Sequence, residues 1–318
     1  MDPCDIALVG CGEIARQQHA RVLLGGDGGG FRLVATVDPR GTLPGFSGPH
    51  YPDLGAMLAA QPGVAAVSVA APTGAHFPVA RDALLAGRHV LLEKPPTTTL
   101  GELVALERIA AERNRVLVTS FHARHNAAVG RLREILAGRR PPEQVGIEWR
   151  EDFERWHAGQ TWPWRPGGFG VFDPGINALS VLCHVLPALD FRVERARFRV
   201  PAGAATPALV EMNLAWDGGG PVEVAFEWRK GGEDVWDISV RSADEAGRTE
   251  TLLLRNLRTL LRDGEEVLSS TEDEEYAGVY RDFRRAVESG ASEVSQKELR
   301  IVEDATVVAE VERSEVAF

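Results

Sequence analysis

Two short stretches hold side chains that can move protons. In Val90-Leu91-Leu92-Glu93-Lys94-Pro95-Pro96, three aliphatic residues end on an acid and a base, and two prolines forbid the strand to continue. Neighbouring strand residues point to opposite sides, so one of Glu93 and Lys94 can face a cleft while the other anchors the loop. An amine in such a place can accept the proton of a substrate hydroxyl. In Phe172-Asp173-Pro174-Gly175-Ile176-Asn177, an acid and an amide lie four residues apart. Asp-Pro reads as a helix start with Asp173 at the N-cap. The helix dipole favours a carboxylate there, and Asn177 falls on the same face.

A third stretch says what could partner this chemistry. Gly10-Cys11-Gly12-Glu13-Ile14-Ala15 has the form GxGxxA directly after a strand and at the opening of a helix. The first glycine permits a tight turn, the second admits a pyrophosphate, and Ala15 keeps the helix close to the strand. Asp38, at the end of the next strand, is placed to accept hydrogen bonds from ribose hydroxyls and to repel a 2′-phosphate, which favours NAD. Arg40 can pair with such a phosphate and so admits NADP. The expected cofactor residues are Gly10, Gly12, Glu13, Ile14, Asp38, Arg40, Ala71, Pro72, His76, Glu93 and Lys94. Beside an oxidised nicotinamide, which is positively charged, a lysine gives up its proton more easily.

These residues need a frame that brings strand ends together. "IALVG" (6–10), "RLVATVD" (32–38), "AAVSVAAP" (65–72), "HVLLEKP" (89–95) and "RVLVTSF" (115–121) are short, continuously apolar and rich in valine, as parallel strands covered on both faces are. "LGAMLAAQ", "HFPVARDALLAG" and "LGELVALERIAAERN" between them read as helices, the last two stopped by Gly87 and Asn114. Alternating β and α elements predict a doubly wound Rossmann sheet in a domain over 1–122. Beyond about residue 125, "VEMNLAW", "VEVAFEW", "VWDISV" and "TETLLL" follow one another without long helices. They predict a C-terminal α+β domain over 123–318 with an open-faced, largely antiparallel sheet. Helices are expected from Asp173, over 276–287 and over 296–313, the last packing back on the first domain. "TEDEEY" (271–276) reads as a solvated helix start, and "GFSGPHYPD" (45–53) as a loop.

The chain of 318 residues carries a formal charge of −11, which argues against a nucleic-acid binder. Three scattered cysteines, Cys4, Cys11 and Cys183, offer neither a disulfide framework nor zinc spacing, and predict a reducing compartment and no metal. The first residues lack the form of a signal peptide, and no apolar run reaches membrane-span length, so a cytoplasmic protein is expected. The exposed face of the antiparallel sheet is expected to be broadly apolar and to need a partner; a homo-oligomer, dimer or tetramer, is expected through the C-terminal sheet.

"GCGEIA", Asp38, "AAPTGAHFPVARDALLAGRHVLLEKP" and the sheet pattern that follows resemble the glucose-fructose oxidoreductase / inositol dehydrogenase / rhizopine-catabolism (Gfo/Idh/MocA) family over nearly the whole chain. That resemblance implies that Lys94 is the catalytic residue. The family pattern Asp-x-Gly-x-His-x-x-Asp reads here Asp173-Pro174-Gly175-Ile176-Asn177-Ala178-Leu179-Ser180, with an amide for the histidine and Ser180 for the second acid. An amide exchanges no proton near neutral pH, so proton transfer must rest on Lys94, Asp173 or both. "EDFERWHAGQTWPWRPGGFGVFDPGINALS" is similar to the L-arabinose / D-galactose 1-dehydrogenases within that family. This implies a sugar site of Glu151, His157, Asp173 and Asn177, with His122 beside the nicotinamide. Aromatic faces cover the C–H surfaces of sugars, and among five tryptophans Trp156 and Trp236 are the expected contacts. The implied reaction is oxidation of an anomeric hydroxyl to a lactone. Rival readings are a polyol or dihydrodiol dehydrogenase, or a non-catalytic nucleotide-binding sugar sensor.

Overall fold

Valine-rich runs bounded by turn residues form the first sheet. In the computed structural model, which describes residues 3–244 and 246–315, they are β1 (Cys4–Val9), β2 (Phe31–Val37), β3 (His50–Tyr51), β4 (Ala66–Val69), β5 (His89–Glu93) and β6 (Leu117–Ser120). All are parallel, in the order β3-β2-β1-β4-β5-β6. Every residue of β4 and β6 is buried, the mark of strands covered on both faces. The helices are α1 (Ala20–Gly25), α2 (Leu54–Ala60), α3 (His76–Leu85) and α4 (Leu100–Arg113). Thr99 caps α4, its hydroxyl accepting from the Glu102 amide, and Asn114 closes it at φ 52°. A π-turn (Ala15–His19) leads into α1. The segment expected to be loop around 45–53 supplies the short edge strand β3.

The second sheet follows α5 (Ala127–Ala137). Its first strand is β7 (Gln144–Asp152), followed by α6 (Phe153–His157), α7 (Phe172–Val185), β8 (Arg192–Val200), β9 (Leu209–Ala215), β10 (Val222–Arg229), β11 (Val235–Ala243), β12 (Thr249–Arg255), β13 (Thr259–Arg262) and β14 (Glu265–Ser269). The chain ends with α8 (Glu275–Ser289), α9 (Lys297–Val308) and β15 (Ala309–Arg313). The nine strands run β14-β13-β12-β11-β7-β10-β9-β8-β15, with β7–β10 and β8–β15 parallel and the other pairs antiparallel. Alternate residues of β7 and β10 are buried. Gly175 lets α7 press onto this sheet: a Cβ there would stand 2.5 Å from the Phe226 ring.

Two expectations change. The chain divides into a unit of Met1–His122 with Glu274–Gln296 and a unit of Ala123–Asp273 with Lys297–Phe318. The element that returns to the Rossmann unit is therefore α8, not the last helix. Tyr276, Val279, Tyr280 and Phe283 of α8 join Ile6, Leu8 and Phe31 in one core, whereas α9 is shorter than predicted and gives way to β15 on the second sheet. The open face of the second sheet is also polar. A groove of about 980 Å³ there is lined by Glu148, Arg150, Glu211, Asn213, Glu223 and Asp237 among others, so the expected broad apolar surface is replaced, among the described residues of this groove, by a largely polar one. Among the described residues, no helix is long and apolar enough to cross a membrane.

Candidate functional site

In the Rossmann unit, the glycine loop meets the requirements of a dinucleotide. Gly10 has φ +97°, and a Cβ on it would stand 2.4 Å from the Ala70 carbonyl oxygen, so β1 and β4 end in contact there. A Cβ on Gly12 would meet nothing within 4 Å, which leaves open space above the loop. Ala15 is fully buried and Ile14 is 42% exposed. Gly10→Ala combines a left-handed backbone with a clash, and about 2–4 kcal/mol of lost stability is expected. A thermal melt reads the loss, and added dinucleotide should no longer raise the melting temperature.

The Asp38 carboxylate braces this loop. Its Oδ2 accepts from the Cys11 amide at 2.9 Å, and its Oδ1 from the amides of Arg40 (2.7 Å) and Gly41 (3.2 Å). Burial pushes its pKa up, but these three donors and the Arg40 charge hold it below the usual carboxylate value. A fixed negative charge thus ends β2, where a ribose would lie. Burial and that same charge push the Cys11 thiol up to about 11, so it is no nucleophile.

Glu93 and Lys94 divide their roles as strand alternation requires. Glu93 is 4% exposed and turns inward. Its Oε1 lies 3.2 Å from His19 Nε2, and its Oε2 accepts from the Lys94 amide at 3.1 Å. Since a carboxylate only accepts, Nε2 carries the proton. His19 Nδ1 then faces the Tyr280 hydroxyl at 2.7 Å and Ser68 Oγ at 3.3 Å. Burial pushes the Glu93 carboxyl up, but the hydrogen bond and charge of His19, with His122 and Lys94, bring it down to about 2. Glu93 is accordingly a buried anchor of the Lys94 loop. The Lys94–Pro95 bond is cis. His76, 1% exposed, holds Nδ1 at 2.9 Å from the Pro95 carbonyl and Nε2 at 2.7 Å from that of Ala71. It ties the end of β4 to the Lys94 loop, with both ring nitrogens at backbone carbonyls. Pro72 opens the short turn between them.

His122 pairs through Nδ1 with Glu275 and stacks on Tyr276 at 5.1 Å. Burial lowers its pKa, but the carboxylates of Glu275 and Glu93 outweigh burial and leave it raised. "TEDEEY" is thus not merely a solvated helix start: Glu275 and Tyr276 close around this imidazole.

The second unit gathers the residues expected to hold a sugar into two neighbouring groups. Glu151, 7% exposed, accepts at Oε1 from the indoles of Trp149 (2.9 Å) and Trp236 (3.0 Å). Trp156 lies 6.1 Å from Trp236 and donates to Asp234 at 3.0 Å; at 44% it is the most exposed tryptophan of this group. In the other group, His157 Nε2 stands 3.7 Å from Asp173 Oδ2. Phe153 and Trp228 flank the imidazole at 5.6 and 5.1 Å. Asn177 is 7% exposed, and its Oδ1 has no hydrogen-bond partner. Asp173 is not the cap. A turn over 169–171 runs straight into the helix and makes Val171 the N-cap, which places Asp173 in the first turn, still where the dipole favours its charge. Ser180, fully buried, bonds back to the Asn177 carbonyl at 2.8 Å. Among the described residues, no three His, Cys, Asp or Glu side chains gather as a metal site.

Residues 4–121 match the model of an oxidoreductase family with an NAD-binding Rossmann fold. The chain is 34% identical over 311 residues to the galactose 1-dehydrogenase of Pseudomonas fluorescens, which covers 97% of this chain and 96% of that one. The chain belongs to the Gfo/Idh/MocA oxidoreductase family. The crystal structure of D-galactose-1-dehydrogenase from Rhizobium etli superposes with a TM-score of 0.90 at 35% identity, covering all of this chain and 98% of the other. A 3-ketoreductase from Actinomadura kijaniata, solved with NADP and TDP-benzene, is 18% identical with a TM-score of 0.79 and shares the fold alone. As a Gfo/Idh/MocA oxidoreductase, the chain carries an NAD-binding domain in β1–β6. His19, Tyr280, Glu275, Trp149, Asp234 and Gln160 escaped the sequence reading. Glu275 and Gln160 lay within the quoted stretches "TEDEEY" and "EDFERWHAGQTWPWRPGGFGVFDPGINALS" without a role of their own.

Proposed function

We propose that this oxidoreductase is an NAD(P)-dependent aldose 1-dehydrogenase, oxidising the anomeric hydroxyl of D-galactose- and L-arabinose-type pyranoses to the lactone. One observation supports this most: a near-full-length likeness to two galactose 1-dehydrogenases. The side chains agree with it, since Glu151, His157, Asp173 and Asn177 hydrogen-bond hydroxyls, and Trp156 and Trp236 offer faces to sugar C–H surfaces. Lys94 Nζ is the proposed acceptor of the anomeric hydroxyl's proton, with the Asp173 carboxylate as the alternative acceptor. The dinucleotide, when bound, supplies the acceptor for the C1 hydride. The hydroxyl oxygen loses its proton and C1 its hydride, and the electron pair left on oxygen closes the lactone C=O bond. Gly10, Gly12 and Asp38 would hold the dinucleotide, with NAD favoured by the Asp38 charge and NADP admitted by Arg40. His122 stays the proposed neighbour of the nicotinamide. The three free cysteines accord with a reducing cytoplasm, and we place contact with a second copy of the chain on the polar face of the second sheet, which carries both signs of charge.

D-Galactose and L-arabinose differ by one exocyclic CH₂OH, which a pocket discriminates weakly, about 10–200-fold at most. A spectrophotometric NADH assay over a sugar panel is expected to show turnover of both and of D-fucose. Turnover of myo-inositol and of none of these sugars would overturn the assignment.

A further inference from the structure

β7 lies between β10 and β11, and residues 230–234, which join those two strands, cross the end of β7 where the chain turns into α6. Two carboxylates fasten this crossing. Asp152 Oδ1 accepts from the Gly231 amide at 3.0 Å and from the Glu154 amide at 3.1 Å. Asp234 answers it: its Oδ1 accepts from the Asp152 amide at 2.9 Å. These bonds hold backbone. Asp234 Oδ2 instead holds side chains, accepting from Arg155 Nη1 at 2.7 Å and from the Trp156 indole nitrogen at 3.0 Å. An indole bonded to a carboxylate makes a charge-assisted hydrogen bond, stronger than a neutral pair. The Asp234 side chain is 10% exposed, which strengthens the bond further. Trp156 itself is 44% exposed. With one edge tied, its ring leans on Trp236, 6.1 Å away and inclined at 46°. Trp236 is fixed in turn, by Glu151 Oε1 and by stacking on Trp149 at 5.8 Å. Packing alone asks for no charge-assisted bond on a half-exposed ring. A ring that offers a face to a ligand gains from one, because orientations frozen on binding cost affinity.

We propose that Asp234 is a positioning residue: it holds the Trp156 indole in the one orientation in which the exposed part of the ring meets the C–H surface of a bound pyranose. The identity of the ligand rests on the sugar-dehydrogenase reading; the hold on the ring does not. Asp234 thus acts on substrate binding through Trp156, from a connection between strands that carries no other part of the site.

The test is fluorine NMR of fluorotryptophan-labelled protein without sugar, joined to steady-state kinetics on D-galactose. Trp156→Phe assigns the Trp156 resonance by its loss. Asp234→Ala should move that resonance toward the position of a freely turning indole. The KM of Asp234→Ala should rise about tenfold with kcat little changed, because fewer molecules then hold the ring in place. Trp156→Phe keeps a ring but has no N–H to give. In that background Asp234→Ala should change KM by less than about twofold, as expected of two groups that act through one bond. Arg155→Gln removes an exposed ion pair and leaves the indole tie, so its KM should stay within about twofold of wild type. Asp234→Asn keeps one acceptor oxygen for the Asp152 amide and loses the charge. It should move the resonance and KM the same way by smaller amounts, and serves if Asp234→Ala folds poorly. An unmoved Trp156 resonance in both Asp234 variants would overturn the proposal. So would effects of Asp234→Ala and Trp156→Phe on KM that simply multiply, or a rise in Arg155→Gln as large as that in Asp234→Ala. Should wild type fail to oxidise D-galactose, the sugar reading falls, and the fluorine spectrum still decides whether Asp234 holds the ring.

Discussion

Replacing Lys94 with alanine is expected to lower kcat/KM by about 10²–10⁴-fold, the usual worth of a positioned proton acceptor, while the dinucleotide still binds. Lys94 is half-buried at the carboxyl end of β5, where ligands bind in doubly wound sheets. Its backbone is held at two points, by Glu93 Oε2 through its own amide and by His76 through the Pro95 carbonyl. Removing the side chain leaves both ties in place, so the loop should keep its shape and only the amine is lost. Lys94→Arg should not restore activity, because a guanidinium cannot be deprotonated in the working range. NADH formation reads turnover, and titration calorimetry with NAD reads binding. A variant that turned over within about threefold of wild type would remove Lys94 as the acceptor, since general-base catalysis is worth far more.

The largest effect on stability is expected from His19→Ala. Glu93 is a carboxylate inside the first unit, and His19 is its imidazole partner. Removing one member of a buried pair costs about 3–5 kcal/mol, because the other charge stays behind uncompensated. For a unit of this size that is roughly 10 °C in melting temperature. The pH dependence identifies the cause. In wild type the Glu93 pKa is depressed to about 2. Its stabilisation is thus fully present above the unfolded value near 4.5 and is lost as the pH falls toward 2. Without His19 the main opposition to burial is lost, only the charges of His122 and Lys94 still hold the carboxyl down, and the pKa rises. The deficit of the variant should be widest at about pH 7 and should narrow on acidification. The double variant His19→Ala/Glu93→Gln, with no charge left to bury, should melt above His19→Ala. A deficit independent of pH, unrelieved by Glu93→Gln, would mean lost packing instead. Because Glu93 also holds the Lys94 amide, His19→Ala should lower kcat as well.

What could be read in the residue order follows from how far apart the interacting parts lie. β1, β2, β4, β5 and β6 declare themselves because continuous burial demands continuous valine and leucine. Glu93-Lys94-Pro95 and the Asp173–Asn177 turn are local patterns and were legible. The partners that tune them were not. His19 finds Glu93 seventy-four residues away and Tyr280 two hundred and sixty-one residues away, and no periodicity reports such a meeting. Trp149 and Trp236 converge on Glu151 because β7 and β11 pair antiparallel, with Trp149 opposite Trp236, a register that alternation alone does not set. Asp173 was misplaced by two positions at the helix start because Asp-Pro is also an ideal cap, and the preceding turn over 169–171 leaves no sequence signature of its own.

The return of α8 to the first unit has a consequence for how the protein is made. The strands of the nucleotide-binding lobe leave the ribosome before α8 does, yet Tyr276, Val279, Tyr280 and Phe283 are part of its interior. At about 5–20 residues per second, the chain between His122 and Gln296 takes on the order of ten seconds or longer to appear. Throughout that interval His19 lacks the Tyr280 ring, and Phe31 the rings of Tyr280 and Phe283, that they pack against in the finished fold. The nascent lobe is an apolar surface awaiting its lid, a natural client for a holding chaperone, and its maturation must wait for nearly the whole second unit to be translated.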